Sequence, residues 1–192
     1  FFYYELAEEI ANATRTFLNP GIMKPEDIKN YKVIERTPVC IRYQYNYEVC
    51  GMGPPSSGGI TVNQILGMVE PFDLRKIGRG PQAYHLLAEA SRLAFADRNY
   101  FIGDPDFTYV PSNAMMSKEY LNSRTDLISF KSVIGKYEAG NPLDANLVYS
   151  PDNSFDKPGT SHLSIVDRFG NIVSCTSTIE SGFGSRVMVR GF

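Results

Sequence analysis

Thr160-Ser161-His162-Leu163-Ser164-Ile165-Val166-Asp167-Arg168-Phe169-Gly170-Asn171-Ile172-Val173-Ser174-Cys175-Thr176-Ser177-Thr178-Ile179 alternates polar and apolar side chains on both sides of a turn-forming centre. A period of two marks a strand whose two faces meet different surroundings. With Gly170 in the left-handed position of a three-residue loop, Arg168-Phe169-Gly170, Asp167 faces Asn171. The same register sets Ser164 opposite Ser174, His162 opposite Thr176 and Thr160 opposite Thr178. One face then carries hydroxyls and an imidazole, and Leu163, Ile165, Val173, Cys175 and Ile179 fill the other. A slip of one residue would move Leu163 and Ile165 onto the hydroxyl face, so the pattern itself selects the register. Opposed side chains have Cβ atoms about 4.5 to 5.5 Å apart, which puts the Thr178 hydroxyl within reach of the Thr160 hydroxyl. Read from the residues alone, such a strand is a half-solvated edge and His162 a hydrogen-bonded structural histidine.

Upstream, residues 129–159 are poor in pattern and rich in Gly, Pro, Asp and Asn, and read as an exposed, mobile linker. Before it, Pro81 to Phe101 is the longest helical segment, with Ala83, Leu87, Ala90 and Ala94 on one stripe. Lys118 to Leu127 is a shorter helix, and another starts near Ile60 and runs through Leu66 to Val69 after the breaker Pro54-Pro55-Ser56-Ser57-Gly58-Gly59. Leu6, Ile10, Ala13 and Phe17 space an amphipathic helix that Asn19-Pro20-Gly21 stops. Pro25-Glu26-Asp27-Ile28 starts a short one. Val39 to Met52 reads as a second hairpin around Gln44-Tyr45-Asn46, with Asn46 left-handed. Cys40 then faces Cys50, Arg42 faces Glu48 and Tyr43 faces Tyr47. Cys40 and Cys50 are either a disulfide or two buried thiols, and Cys175 reads as core. The order of helices and hairpins suits an α+β fold.

The chain has 192 residues, 43% of them hydrophobic, enough for a globular core, and a net charge of -2. With 19 Lys and Arg against 21 Asp and Glu and no basic block, nothing supplies the counterion release that nucleic-acid affinity needs. No apolar run approaches the roughly 20 residues of a spanning helix. Two histidines and three scattered cysteines give no zinc spacing, and Ser57-Gly58-Gly59-Ile60 lacks the lysine of a phosphate loop. No metal or cofactor is expected. The start at Phe1 and the strand-like end Val187-Met188-Val189-Arg190-Gly191-Phe192 read as cuts from something longer.

Pro54-Pro55-Ser56-Ser57-Gly58-Gly59-Ile60, His85-Leu86-Leu87-Ala88-Glu89-Ala90, Ala94-Phe95-Ala96-Asp97-Arg98, Gly103-Asp104-Pro105 and Thr160-Ser161-His162-Leu163-Ser164-Ile165-Val166-Asp167, in that order along nearly the whole chain, resemble the gamma-glutamyltranspeptidase family. The resemblance implies an αββα N-terminal-nucleophile hydrolase sandwich, incomplete in this chain, made as an inactive precursor. It implies self-cleavage between Gly159 and Thr160. Residues 1–159 would close the large subunit, linker included, and residues 160–192 would open the small one with its catalytic hairpin. Thr160 would be the nucleophile and Thr178 the second threonine that hydrogen-bonds it. A threonine hydroxyl needs a base, and the freshly exposed α-amine, with a pKa near 8, is one on the same residue.

The implied donor is a gamma-glutamyl compound such as glutathione and the acceptor water or an amino acid, in a periplasmic or extracellular location. Glu180 stands where glutathione-cleaving members usually have an asparagine that helps hold the donor's α-carboxylate. A carboxylate there repels another, which keeps open a glutaryl- or poly-glutamyl-specific acylase of the same fold. A non-catalytic homologue acting as a binding module is the third reading. The family's substrate-binding arginine and oxyanion glycines have no counterpart in these 192 residues. The segment alone is therefore expected to be unprocessed and inactive, and its unfinished sheet edges invite self-association.

Overall fold

The structure, a computed structural model, describes residues 2–16, 18–142, 149–150 and 159–189, with side chains from residue 5 onward. It divides into two compact units, Glu35–Asn153 on the one hand and Phe1–Ile34 with Ser154–Phe192 on the other. The class is α+β, as the order of elements predicts, and the described strands form two separate two-stranded antiparallel ribbons.

In Glu35–Asn153, β1 (Val39–Tyr43) and β2 (Tyr47–Gly51) form the first ribbon, followed by α3 (Gly58–Val69), α4 (Leu74–Ile77), α5 (Pro81–Phe101), α6 (Ser112–Met115) and α7 (Lys118–Thr125). Pro81 occupies the first turn of α5, where its missing N–H is not needed. The Ser117 Oγ caps α7 by accepting from the Tyr120 N–H at 3.2 Å. Met68, Val69, Leu86, Ala90, Leu93, Ala94 and Leu121 form the core where α3, α5 and α7 meet. Each fully buried leucine there contributes about 1.5 to 3 kcal/mol. Small residues set the spacing: a methyl group at Gly67 would run into the Leu121 side chain.

The buried stripe of α5 is Leu86, Glu89, Ala90, Leu93, Ala94, Asp97 and Phe101; of the expected Ala83, Leu87, Ala90 and Ala94, the last two lie on it and the first two do not. Leu87 stays 51% exposed. The buried face carries two carboxylates, Glu89 and Asp97, whose partners lie on other segments, so a stripe drawn through apolar residues alone follows it only in part. Ser57, at the head of α3, makes no side-chain cap; its Oγ accepts from Arg98 Nε at 3.1 Å.

The register of the first ribbon is the expected one, with Cys40 opposite Cys50 and Tyr43 opposite Tyr47. Cys40 and Cys50 form a disulfide with their Cα atoms 4.1 Å apart, the short spacing of a non-hydrogen-bonded pair. The left-handed loop residues are Gln44 and Tyr45, at φ 49° and 60°, and not Asn46. The Gln44 N–H donates to Glu70 Oε1 at 2.7 Å, a bond to the end of α3 that no local pattern announces.

Part of the stretch read as a linker is tied to α5. Glu89 accepts from the Ile134 N–H at 2.8 Å and the Tyr137 hydroxyl at 2.6 Å. Asp97 accepts from the Gly140 N–H at 3.0 Å. Residues 143–148 and 151–158 lie outside the described residues.

The other unit holds α1 (Phe2–Thr14), α2 (Pro25–Lys29), β3 (Thr160–Val166) and β4 (Ile172–Thr178). Ala7 and Ala11, a turn apart on α1, are fully buried, while Leu6, Ile10 and Ala13 are half-buried. Phe17, the fourth residue of the expected stripe, lies outside the described residues. Both faces of the β3–β4 ribbon are exposed, Cys175 included. That corrects the reading of Cys175 as core: the alternation is present, but no described residue covers its apolar side. Residues 187–189 form no strand.

Candidate functional site

The β3–β4 ribbon is built from its turn outward. Gly170 sits at φ 84°, the left-handed position that the loop requires. The Asp167 carboxylate accepts from the Phe169 N–H at 2.8 Å, the Asn171 N–H at 2.9 Å and the Asn171 side-chain amide at 2.8 Å. These bonds, the Asn171 side chain first, hold the Asp167 carboxyl below the usual carboxylate range. The pairing follows at once, with Ser164 opposite Ser174, His162 opposite Thr176 and Thr160 opposite Thr178.

On the hydroxyl face the pairs become contacts. Thr160 Oγ1 donates to Thr178 Oγ1 at 2.8 Å. His162 Nδ1 lies 2.8 Å from Thr176 Oγ1, and its Nε2 lies 3.2 Å from Ser164 Oγ and 3.3 Å from Ser174 Oγ. Neighbouring hydroxyls therefore occupy the imidazole on both nitrogens, which suits an orienting role within the ribbon. The Glu180 N–H donates to Thr178 Oγ1 at 3.1 Å, and Thr178 Oγ1 makes a long 3.5 Å contact with the Gly159 carbonyl oxygen. Gly159, Thr160, Thr178 and the backbone of Glu180 thus converge on one spot. Chemically, a hydroxyl beside a second hydroxyl and a neighbouring carbonyl can add to an acyl carbon once its proton is taken.

Two features of this spot carry no plain signal in the sequence. Glu180 is left-handed, at φ 71°. Gly159 is packed against backbone: a methyl group there would lie 2.6 Å from both the Ser181 Cα and N. The Pro158-Gly159 pair and the glycines of Ser181-Gly182-Phe183-Gly184, where the alternation breaks after Ile179, are the hints that the sequence carries.

Away from the ribbon, Asp97 is the most heavily bonded carboxylate among the described residues. It accepts from Gln64 Nε2 at 2.9 Å and the Tyr120 hydroxyl at 2.8 Å, and pairs with Arg124 at 3.1 Å. Burial raises its pKa despite the opposing pull of Arg124, and burial likewise raises that of Tyr120. These groups face one another rather than a cleft, so they hold the fold. A carboxylate on an apolar helical stripe was the available signal. Glu48 lies close to Cys40 and Cys50, but disulfide sulfurs are not thiolate ligands.

Comparison with known proteins follows the same line. The gamma-glutamyltranspeptidase family model matches residues 1–192. The chain is 38% identical over 189 residues to the glutathione hydrolase proenzyme of Escherichia coli, covering 98% of this chain and 31% of that protein. It therefore spans about a third of the length of that relative. The crystal structure of Helicobacter pylori gamma-glutamyltranspeptidase superposes with a TM-score of 0.67 at 36% identity, covering 76% of this chain and 42% of that one. A cephalosporin acylase from Bacillus halodurans reaches a TM-score of 0.76 at 26% identity, over 97% of this chain and 31% of the other.

Proposed function

The chain belongs to the gamma-glutamyltranspeptidase family, and on that footing we propose that it is part of a self-cleaving enzyme that moves a gamma-glutamyl group on Thr160. The observation that carries the reading is the 2.8 Å hydrogen bond from the Thr160 hydroxyl to Thr178 beside the Gly159 carbonyl. In the precursor, Thr160 Oγ1 adds to the Gly159 carbonyl carbon. The Gly159–Thr160 C–N bond breaks, the nitrogen takes up the hydroxyl proton, and an ester remains. Water hydrolyses the ester to a Gly159 carboxylate and restores the Thr160 hydroxyl, beside the α-amine already freed. That amine then serves as base for the hydroxyl on the same residue, near its own pKa of about 8. The gamma-glutamyl group passes from a donor such as glutathione to Thr160, and from there to water or an amino acid. The work of Thr178 is to orient the nucleophile. Residues 1–159 belong to the large subunit and residues 160–192 to the small one, and 192 residues without the rest stay unprocessed and inactive. The Cys40–Cys50 disulfide supports an oxidising, exported location, and no helix among the described residues is long and apolar enough to cross a membrane.

The test uses the full-length protein. Wild type resolves into two bands on a denaturing gel, and Thr160→Ala remains one; identical behaviour of the two would favour the non-catalytic reading. A second reading, an acylase taking glutaryl or poly-glutamyl donors, is favoured by Glu180 at the position expected to meet the donor's α-carboxylate. Rates on a gamma-glutamyl anilide and a glutaryl anilide decide between them, with the gamma-glutamyl compound expected to be faster.

A further inference from the structure

We infer that Gly159 and the main chain of Glu180 are positioning residues for the self-cleavage step, acting as a backbone clamp that sets the hydrogen-bond direction at the nucleophile. The inference rests on the self-cleavage reading above and concerns residues to which that reading gives no such part.

A threonine hydroxyl has one proton and two lone pairs. At Thr178 the Glu180 N–H, which can only donate, takes one lone pair at 3.1 Å. The Thr178 proton is directed at the Gly159 carbonyl oxygen, 3.5 Å away. The remaining lone pair can accept only from Thr160, whose Oγ1 lies at 2.8 Å. Thr160 is therefore the donor, and its own lone pairs stay free for the Gly159 carbonyl carbon. The same arrangement offers Thr178 as first acceptor of the departing proton and as a donor to the carbonyl oxygen that gains charge. Without the Glu180 N–H, Thr178 could turn its proton toward Thr160 and occupy the lone pair that must attack.

Beyond that N–H the chain turns back toward Gly159 because Glu180 is left-handed, at φ 71°, a conformation that β-branched residues rarely adopt and that glycine and asparagine accept. The turn also closes on the bond to be cut. A methyl group on Gly159 would lie 2.6 Å from the Ser181 Cα and N and 2.7 Å from the Glu180 carbonyl carbon. These are backbone atoms that cannot rotate aside. Glycine at 159 is thus required by the clamp on its far side as well as by access for the hydroxyl.

The experiment follows self-cleavage of the full-length precursor on denaturing gels for wild type, Gly159→Ala, Glu180→Gly, Glu180→Asn and Glu180→Val. Each is paired with its Thr160→Ala counterpart, whose melting temperature reports folding. Gly159→Ala should cleave on the order of a hundredfold more slowly, the effect of displacing a reacting group by about 1 Å. Glu180→Gly and Glu180→Asn, which lose the carboxylate but keep the turn, should cleave about tenfold faster than Glu180→Val. Melting temperatures of the Thr160→Ala partners should coincide. Three Glu180 variants cleaving at one rate, or Gly159→Ala keeping pace with wild type, would overturn the clamp while leaving self-cleavage standing. A wild-type precursor that stays a single band overturns both.

Discussion

In the bundle of α3, α5 and α7, Leu86 and Leu93 are buried almost to the last atom; in the β3–β4 ribbon, Leu163, Ile165 and Val173 keep 48%, 56% and 52% of their surface exposed. The bundle also buries charge, with Asp97 fully enclosed among Gln64, Tyr120, Arg124 and the Gly140 N–H. The ribbon buries none and leaves its hydroxyls and His162 open. Stability and chemistry are thus separated. Removing Asp97 or Leu93 damages a packed interior, whereas changing Thr160 or Thr178 touches exposed groups whose value is their direction. The ribbon holds its register through the Asp167 turn and its cross-strand pairs, without the burial that holds the bundle.

The sharpest way to break this contrast is Asp97→Ala, which strands the Arg124 guanidinium in the interior. It should cost about 3 to 5 kcal/mol in denaturant unfolding of the full-length protein; a loss below about 1 kcal/mol would mean that the network does not hold the bundle together. Opening the disulfide with Cys40→Ser and Cys50→Ser should cost about 2 to 3 kcal/mol, the expectation for a closed loop of this size. On the ribbon, Leu163→Ser should change stability by no more than about 0.5 kcal/mol if that face is as open in the whole protein as it is here. A larger loss, read by the same unfolding curve, would show that other residues cover it. The smallest effect concerns pH. The Asp167 carboxyl is held below its ordinary range, so its contribution to the turn is fully present above that range. It is lost as pH falls through the depressed value. Amide exchange at Phe169 and Asn171 should quicken over that interval, and Asp167→Asn should flatten the change.

The readings that held are the ones settled by neighbours in sequence. Gly170 closes a three-residue loop, and every pair from Val166–Ile172 to Thr160–Thr178 follows from it by counting. The first ribbon is the same, down to Cys40 facing Cys50. The starts of α5 at Pro81 and of α7 at Lys118 also held, because the residues that start a helix act within a turn of where they stand.

Other readings missed wherever a partner from far along the chain decides. Which stripe of α5 turns inward depends on Gln64, Arg124, Ile134 and Gly140, which satisfy Glu89 and Asp97 and so allow two carboxylates into the core. The Gln44–Tyr45 loop conformation depends on Glu70, and the state of Cys175 on what covers a ribbon face.

The candidate site divides in the same way. Strand periodicity brings Thr160 and Thr178 together from the sequence by itself, because side-chain direction in a ribbon repeats every two residues. Only the tertiary structure brings the Glu180 N–H and the Ser181 backbone to that pair and to the Gly159 carbonyl bonded to it. A chain reversal after Ile179 is set by atoms in space, and no repeat in the sequence encodes it.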